Sequence, residues 1–365
     1  MKFFGKIGII LLALTVLMVF GGCRRQQQTA TAETFELALI TDLGTIDDKS
    51  FNQGSWEGLL RYAQQYNISH RYYQPTEQSD DAYLSTIALA VRGGAKVVVT
   101  PGFLFETPIY LAQDRYPEVR FILIDGVPHS ADYSTFRTAN NAVGVLYAED
   151  QAGFLAGYAA VKDGNRRLGF MGGMAVPAVV RFGYGFVQGA EFAAAELGLG
   201  TGDITINYHY TCHFSATPEV QTMAASWFNS GIDVIFACGG AVGNSVMAAA
   251  EQTGKKVIGV DVDQSGESRT VITSAMKGLQ ASVYDCIRDF YAGRFPGGQT
   301  LVFEARNDGV SLPMATSRFQ SFSQADYNAI FQRLVNGSIP RMENLADDGS
   351  PRNVPVTISR ITEIR

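Results

Sequence analysis

Residues 41–58 read Thr-Asp-Leu-Gly-Thr-Ile-Asp-Asp-Lys-Ser-Phe-Asn-Gln-Gly-Ser-Trp-Glu-Gly. A short apolar run, 35–40, precedes them, and Trp56, Leu59, Leu60 and Ala63 follow at helical spacing. The stretch therefore reads as the first strand-to-helix turn of an α/β domain. Ser50 is the expected N-cap, and Gln53, three residues on, completes a capping box. Phe51 and Asn52 then fall in the first helical turn, at the carboxyl edge of a sheet, where open α/β folds take their ligands. Two accounts of Phe51 fit equally well here: a ring facing a ligand, or a staple holding the helix to the core. Asp47-Asp48, beside Lys49, reads as an exposed acidic loop.

Outward from this turn the pattern is strand, loop, helix, repeated. Strands are expected at 69–73, 96–100, 120–124 and 141–146. One helix is capped by Ser79 and stopped by Gly93-Gly94, and another covers 106–115. The same pattern then restarts. An Ala/Gly-rich helix at 149–162, suited to close packing, leads into strands at 167–171, 204–209, 233–237, 256–260 and 271–275. Helices lie between them, at 178–197, 218–229 and on to 253, and a further helix is expected at 279–292. A strand near 301–303, a helix at 323–336 and a strand near 354–358 complete the chain. Strands alternating with helices imply mostly parallel sheets, and two such runs imply two doubly wound lobes with a cleft between them. The strand ends carry Asp42, Gly102, Asp125, Gly172, Gly239 and Asp261. Any one of these acids suits a helix cap as well as a site. The three together describe the polar floor of a pocket.

The N-terminus joins Met-Lys-Phe-Phe-Gly-Lys to an apolar run, 7–20, and then to Gly-Gly-Cys. These are the parts of an export signal. Cys23 after two small residues resembles a bacterial lipobox, with Phe20 where that motif usually has Leu. The alternative is an uncleaved anchor helix, for which the apolar run is short. Residues 24–33, rich in Gln, Thr and Ala, suit a flexible tether. A formal charge of −6, made more negative if Lys2 and Lys6 leave with the signal, is a poor match for nucleic acid. Cys212, Cys238 and Cys286 are odd in number and unpaired in spacing, so no disulfide framework is implied. His209-Tyr-Thr-Cys-His213 lacks a fourth zinc ligand and reads as polar loop. No spaced Gly-Lys-Ser/Thr phosphate loop and no nucleophile–base constellation stands out.

Five motifs, in order, resemble one family: Thr-Asp-Leu-Gly-(x5)-Ser-Phe-Asn-Gln-Gly from 41, Ile-Asp-Gly at 124–126, Arg-Phe-Gly-Tyr-Gly-Phe-Val-Gln-Gly at 181–189, Gly-Val-Asp-Val-Asp-Gln at 259–264 and Thr-Ser-Ala-Met-Lys at 273–277. They are similar to the BMP (basic membrane protein) lipoproteins, the substrate-binding components of ABC importers, of which the purine nucleoside receptor is the best understood type. The resemblance implies a type I periplasmic-binding-protein fold, two α/β lobes joined by a three-segment hinge. The expected division is 1–22 signal peptide, 23–34 tether, 35–145 with about 265–300 as the first lobe, and 146–264 with about 301–365 as the second.

Carried over by motif, the resemblance implies that Phe51 and Phe182 sandwich a base and that Asn52 and Asp125 face its polar edge. It implies that Asp42, Asp261 and Lys277 address a ribose, beside the Gly239-Gly240 backbone. Phe182, nearer the helix start, is chosen over Phe186. These roles suit the chemistry: aromatic faces bind flat heterocycles, a carboxylate accepts two hydrogen bonds from a vicinal diol, and a lysine offsets the burial of two acids. The expected protein is a monomeric, exported receptor, held to the membrane through a lipid on Cys23. It would capture inosine, guanosine or adenosine by hinge closure and hand it to an ABC permease, with no cofactor, no metal and no catalytic residue. Two other readings stand beside it: a receptor for another small polar solute, such as a sugar or signalling furanose, and an exported nucleoside-cleaving enzyme with Asp42, Asp47 and Asp48 as a metal cluster.

Overall fold

The computed structural model describes residues 34–42, 44–340 and 354–364. The expected signal peptide, Cys23 and all of the tether but Thr34 lie outside the described residues.

The first sheet is built from β1 (Leu37–Ile40), β2 (His70–Tyr73), β3 (Val97–Pro101), β4 (Arg120–Ile124), β5 (Ala142–Tyr147) and β11 (Thr300–Phe303). Their order is β2-β1-β3-β4-β5-β11, all parallel. The second contains β6 (Arg167–Gly172), β7 (Ile204–Tyr210), β8 (Val234–Cys238), β9 (Lys256–Asp261), β10 (Val271–Lys277), β12 (Val310–Ser311) and β13 (Ser359–Glu363). Its order is β13-β7-β6-β8-β9-β10-β12, parallel except for β12. Each lobe thus places its second strand outside its first and its third on the other side. The order reverses between β1 and β3 and again between β6 and β8, and these are the switch points where such sheets open a ligand crevice. The central β3 and β8 are buried along their whole length, as the unbroken apolar runs Val97–Val99 and Val234–Ala237 require of strands covered on both faces.

Two segments fall on the other side of the expected division. β10 is a member of the second sheet, with Ser274 opposite Gly259 and Met276 opposite Asp261, whereas the sequence places residues 265–300 in the first lobe. β11 pairs with β5 in the first sheet, whereas the sequence places residues from about 301 in the second lobe. The cause is pairing: β10 is buried within the second sheet alongside β9, and the chain changes lobe only after it. The last strand also starts at Ser359 rather than near 354, alongside β7.

Helix α1 (Phe51–Tyr66) covers the first sheet and packs on α8 (Leu279–Tyr291) so closely that a Cβ at Gly58 would lie 2.6 Å from the Gln280 carbonyl oxygen. In the second lobe α4 (Glu149–Lys162) and α5 (Pro177–Glu196) meet backbone to backbone. A Cβ at Gly153 would lie 2.1 Å from the Phe182 oxygen, and one at Gly157 2.0 Å from the Phe186 oxygen. The reverse holds too: Gly185 faces the Asp150 oxygen and Gly189 the Phe154 oxygen, each at 2.0 Å. The small residues of both helices are therefore required by their approach, and this approach sets where Phe182 stands.

Candidate ligand-binding site

A cavity of about 510 Å³ lies between the carboxyl edges of the two sheets. All nine residues singled out above line it: Asp42, Phe51, Asn52, Asp125, Phe182, Gly239, Gly240, Asp261 and Lys277.

The start of α1 is organised by Asp48, not by Ser50. The Asp48 carboxylate accepts the backbone N–H of Ser50 at 2.8 Å, of Asn52 at 2.9 Å and of Gln53 at 3.1 Å, and the Asn52 side-chain amide at 3.1 Å. It thereby satisfies N–H groups that the first helical turn leaves unpaired. The expected exposed acidic loop is exposed only at Asp47; Asp48 is buried, and burial pushes its carboxyl up to about 6. Gln53 does reach back, but to the N–H of Lys49 at 3.2 Å. Ser50 makes no side-chain cap. Its hydroxyl instead donates across the cleft to Asp261 Oδ2 at 2.5 Å. A second tie runs beside it, from Gln264 Nε2 to the Lys49 carbonyl oxygen at 2.7 Å.

Phe51 and Phe182 approach one point from opposite lobes. The Lys277 ammonium stands 4.6 Å from the Phe51 ring centre and 5.5 Å from that of Phe182. Phe186, one turn further along α5, does not line the cavity and packs against Phe170 and Phe236; Phe182 also meets Phe236, with its ring at the cavity wall. Lys277 Nζ also lies 2.5 Å from Asp125 Oδ2, 3.4 Å from Asp261 Oδ1 and 3.8 Å from Glu149 Oε1. Burial alone would lower a lysine here, but the carboxylates of Asp125, Asp261 and Glu149 outweigh it and hold the ammonium above its ordinary range. Asp125 and Asp261 both sit at positive φ, 58° and 67°, a conformation that aspartate tolerates better than most residues. It turns each carboxylate off its strand end toward Lys277.

The acids group differently from the expected pairing. Asp125 joins Asp261 around Lys277, while Asp42 stands near Asn52, whose amide favours its ionised form. Asp42 Oδ1 accepts the Gly44 N–H at 2.6 Å, and burial raises its pKa. At the other switch point a Cβ on Gly239 would lie 2.6 Å from the Gly173 nitrogen, so only glycine lets these two turns touch.

Glu149 escaped the sequence reading. An acid in a first helical turn reads as a complement to the helix dipole, and nothing local marks it otherwise. It is fully buried, raised by burial, and paired with Arg181 at 2.6 Å. Burial works against the Arg181 charge and Glu149 outweighs it, so the guanidinium is held high. Apolar walls, among them Leu104, Met174, Val176 and Phe214, complete the cavity. His209 hydrogen-bonds the Ile364 carbonyl oxygen at 2.7 Å, and His213 Nδ1 accepts the Ser215 N–H at 3.2 Å. Among the described residues no group of three or more His, Cys, Asp or Glu is placed to hold a metal ion.

Two lobes of this topology, enclosing a polar and aromatic cleft, make this a protein of the type I periplasmic-binding-protein fold. The protein superposes on an ABC transporter solute-binding protein from Aeropyrum pernix K1 with a TM-score of 0.68 at 23% identity, covering 86% of this chain and 82% of that one. It superposes on another from Conexibacter woesei with 0.67 at 22%, covering 85% and 100%. The chain belongs to the Bmp family, described as ABC transporter substrate-binding protein PnrA-like, whose model matches residues 35–343. It is 29% identical to the ABC transporter nucleoside-binding protein BmpA of Lactococcus lactis over 86% of this chain and 93% of that protein. It is 28% identical to basic membrane protein D of Borreliella burgdorferi, over 84% and 88%. The protein is thus a substrate-binding protein of an ABC transporter, with a permease as its partner, and its family is one of binders rather than enzymes.

Proposed function

We propose that this protein captures purine nucleosides by closure of its two lobes and delivers them to the importer, tethered to the membrane through a lipid on Cys23. The observation that carries the reading is the pair of phenyl rings, Phe51 and Phe182, contributed by opposite lobes and flanking one ammonium that is itself ringed by carboxylates. Aromatic faces take a heterocycle with each stack worth about 1–3 kcal/mol. Asp261 and Asp125, fixed by Lys277, are suited to accept the paired hydroxyls of a ribose. A ligand touching both lobes binds the closed form better and shifts the equilibrium toward it. The Lactococcus relative named as a nucleoside-binding protein points the same way. The test is mass spectrometry of the small molecule released when the protein, purified under native conditions, is denatured. A purine nucleoside in stoichiometric amount supports the reading; a sugar or an amino acid in its place overturns it.

A further inference from the structure

The polarity of one edge of this cleft is set by a side-chain amide with no freedom to turn. Asn52 lines the cavity and is 5% exposed. An asparagine amide offers two donors on Nδ2 and an acceptor on Oδ1, and the two ends are otherwise interchangeable in shape. Here Nδ2 donates to Asp48 Oδ2 at 3.1 Å, and the amide also favours the ionised form of the nearby Asp42 carboxylate. A Cβ placed on Gly44 would touch Asn52 Nδ2 at 2.6 Å and Asp42 Oδ1 at 2.9 Å, so those two atoms stand side by side. Nδ2 is thus bonded to one carboxylate and has a second beside it. Turning the amide over would set Oδ1 against two acids. Oδ1 is left buried without any hydrogen-bond partner. Such an acceptor is costly unless a ligand supplies the donor. Asp125 Oδ1, in the same cavity, is likewise buried and unpartnered.

We propose that Asp42 and Asp48 are specificity-determining positioning residues. They lock Asn52 so that it presents only an acceptor, and the site therefore selects nucleobases that bring an N–H to this edge, the N1–H of a 6-oxopurine, over bases that bring a ring-nitrogen lone pair. The proposal rests on the reading of the ligand as a purine nucleoside. Guanine supplies N1–H and an adjacent exocyclic amine, hypoxanthine supplies N1–H, and adenine sets the N1 lone pair among acceptors. The preferred order is guanosine, then inosine, then adenosine, with purine riboside, which has neither N1–H nor exocyclic amine, last.

The experiment is calorimetric titration of ligand-stripped protein with these four nucleosides, in wild type and in Asp48→Asn. In wild type, guanosine and inosine are expected to bind about ten- to a hundred-fold more tightly than purine riboside, with adenosine between. Purine riboside is smaller than inosine, so steric exclusion does not produce this order. The carboxamide of Asp48→Asn presents a donor where Asp48 Oδ2 accepts. It favours the turned-over amide and is expected to shrink or reverse the gap between inosine and adenosine, rather than lower all affinities alike. Equal binding of purine riboside and inosine by wild type overturns the proposal while leaving a nucleoside receptor in place. Binding of none of the four overturns the nucleoside reading itself. A uniform loss in Asp48→Asn with the order unchanged removes Asp48 from the polarity lock, and the wild-type series stands as a test even if that variant does not fold.

Discussion

Ser50 Oγ lies 2.5 Å from Asp261 Oδ2 and joins the turn after the first strand of one lobe to the end of a strand in the other. The bond exists because Asp48 has taken over the capping of α1, which frees the Ser50 hydroxyl for the cleft. It also holds Asp261 at the distance where Lys277 can share it. Hydrogen bonds to a charged group contribute about 1.5–3 kcal/mol. Ser50→Ala is therefore expected to shift the protein toward separated lobes, seen as a larger radius of gyration in small-angle scattering, and to weaken ligand affinity. An unchanged radius and affinity would show that this tie does not hold the lobes.

The aromatic pair gives a division of labour that mutagenesis can read. Phe51→Ala and Phe182→Ala are each expected to weaken nucleoside binding by about 1–3 kcal/mol. Phe186→Ala, whose ring does not line the cavity, is expected to cost about 3–5 kcal/mol of folding stability without that binding loss, whereas Phe182, which packs on Phe236 as well, is expected to lose both. Denaturant melts and titrations on the same samples separate the two effects; a binding loss confined to Phe186→Ala would place the wrong ring in the cleft.

Asp48 carries a pH signature. Burial raises its carboxyl from 3.8 to about 6 in the folded protein, so the ionised form is less favourable folded than unfolded. The stability this group contributes is fully present below about pH 4 and is lost as the pH rises through about 6, a change on the order of 3 kcal/mol. Wild type is expected to lose stability relative to Asp48→Asn across that interval. A stability difference that is constant with pH contradicts a buried, raised Asp48.

The paired glycines of α4 and α5 predict a contrast between chemically identical changes. Gly157→Ala and Gly185→Ala must each push a methyl into a backbone oxygen 2.0 Å away, and are expected to cost at least about 1–3 kcal/mol. Gly266→Ala meets open space and is expected to stay within about 0.5 kcal/mol of wild type. Thermal melts showing the three alike would mean that the helices can separate without cost.

The alternating lobes and the strand-end position of the site were legible because buried parallel strands leave continuous apolar runs, and because Asp42, Asp125 and Asp261 each follow one. What was not legible was decided by distant partners. Ser50 and Asp48 are both good caps two residues apart, and only Asp261, from the other lobe, settles which one caps. Glu149 looks like any acid at a helix start until Arg181 and Lys277 are folded against it. The lobe membership of β10 follows from its pairing with β9, which its own residues do not announce.

The most direct test of the nucleoside reading is calorimetry with guanosine and guanosine 5′-monophosphate on ligand-stripped protein. The cleft sets the carboxylates of Asp42, Asp48, Asp125 and Asp261 against Lys277, Lys277 is already engaged by Asp125 and Asp261, and Arg181, outside the cavity lining, is engaged by Glu149. A phosphate would add negative charge with no free cation among these residues to receive it. Saturable, single-site binding of guanosine, with the nucleotide at least about a hundred-fold weaker, is the predicted result. No heat with guanosine, or equal binding of the nucleotide, would contradict it.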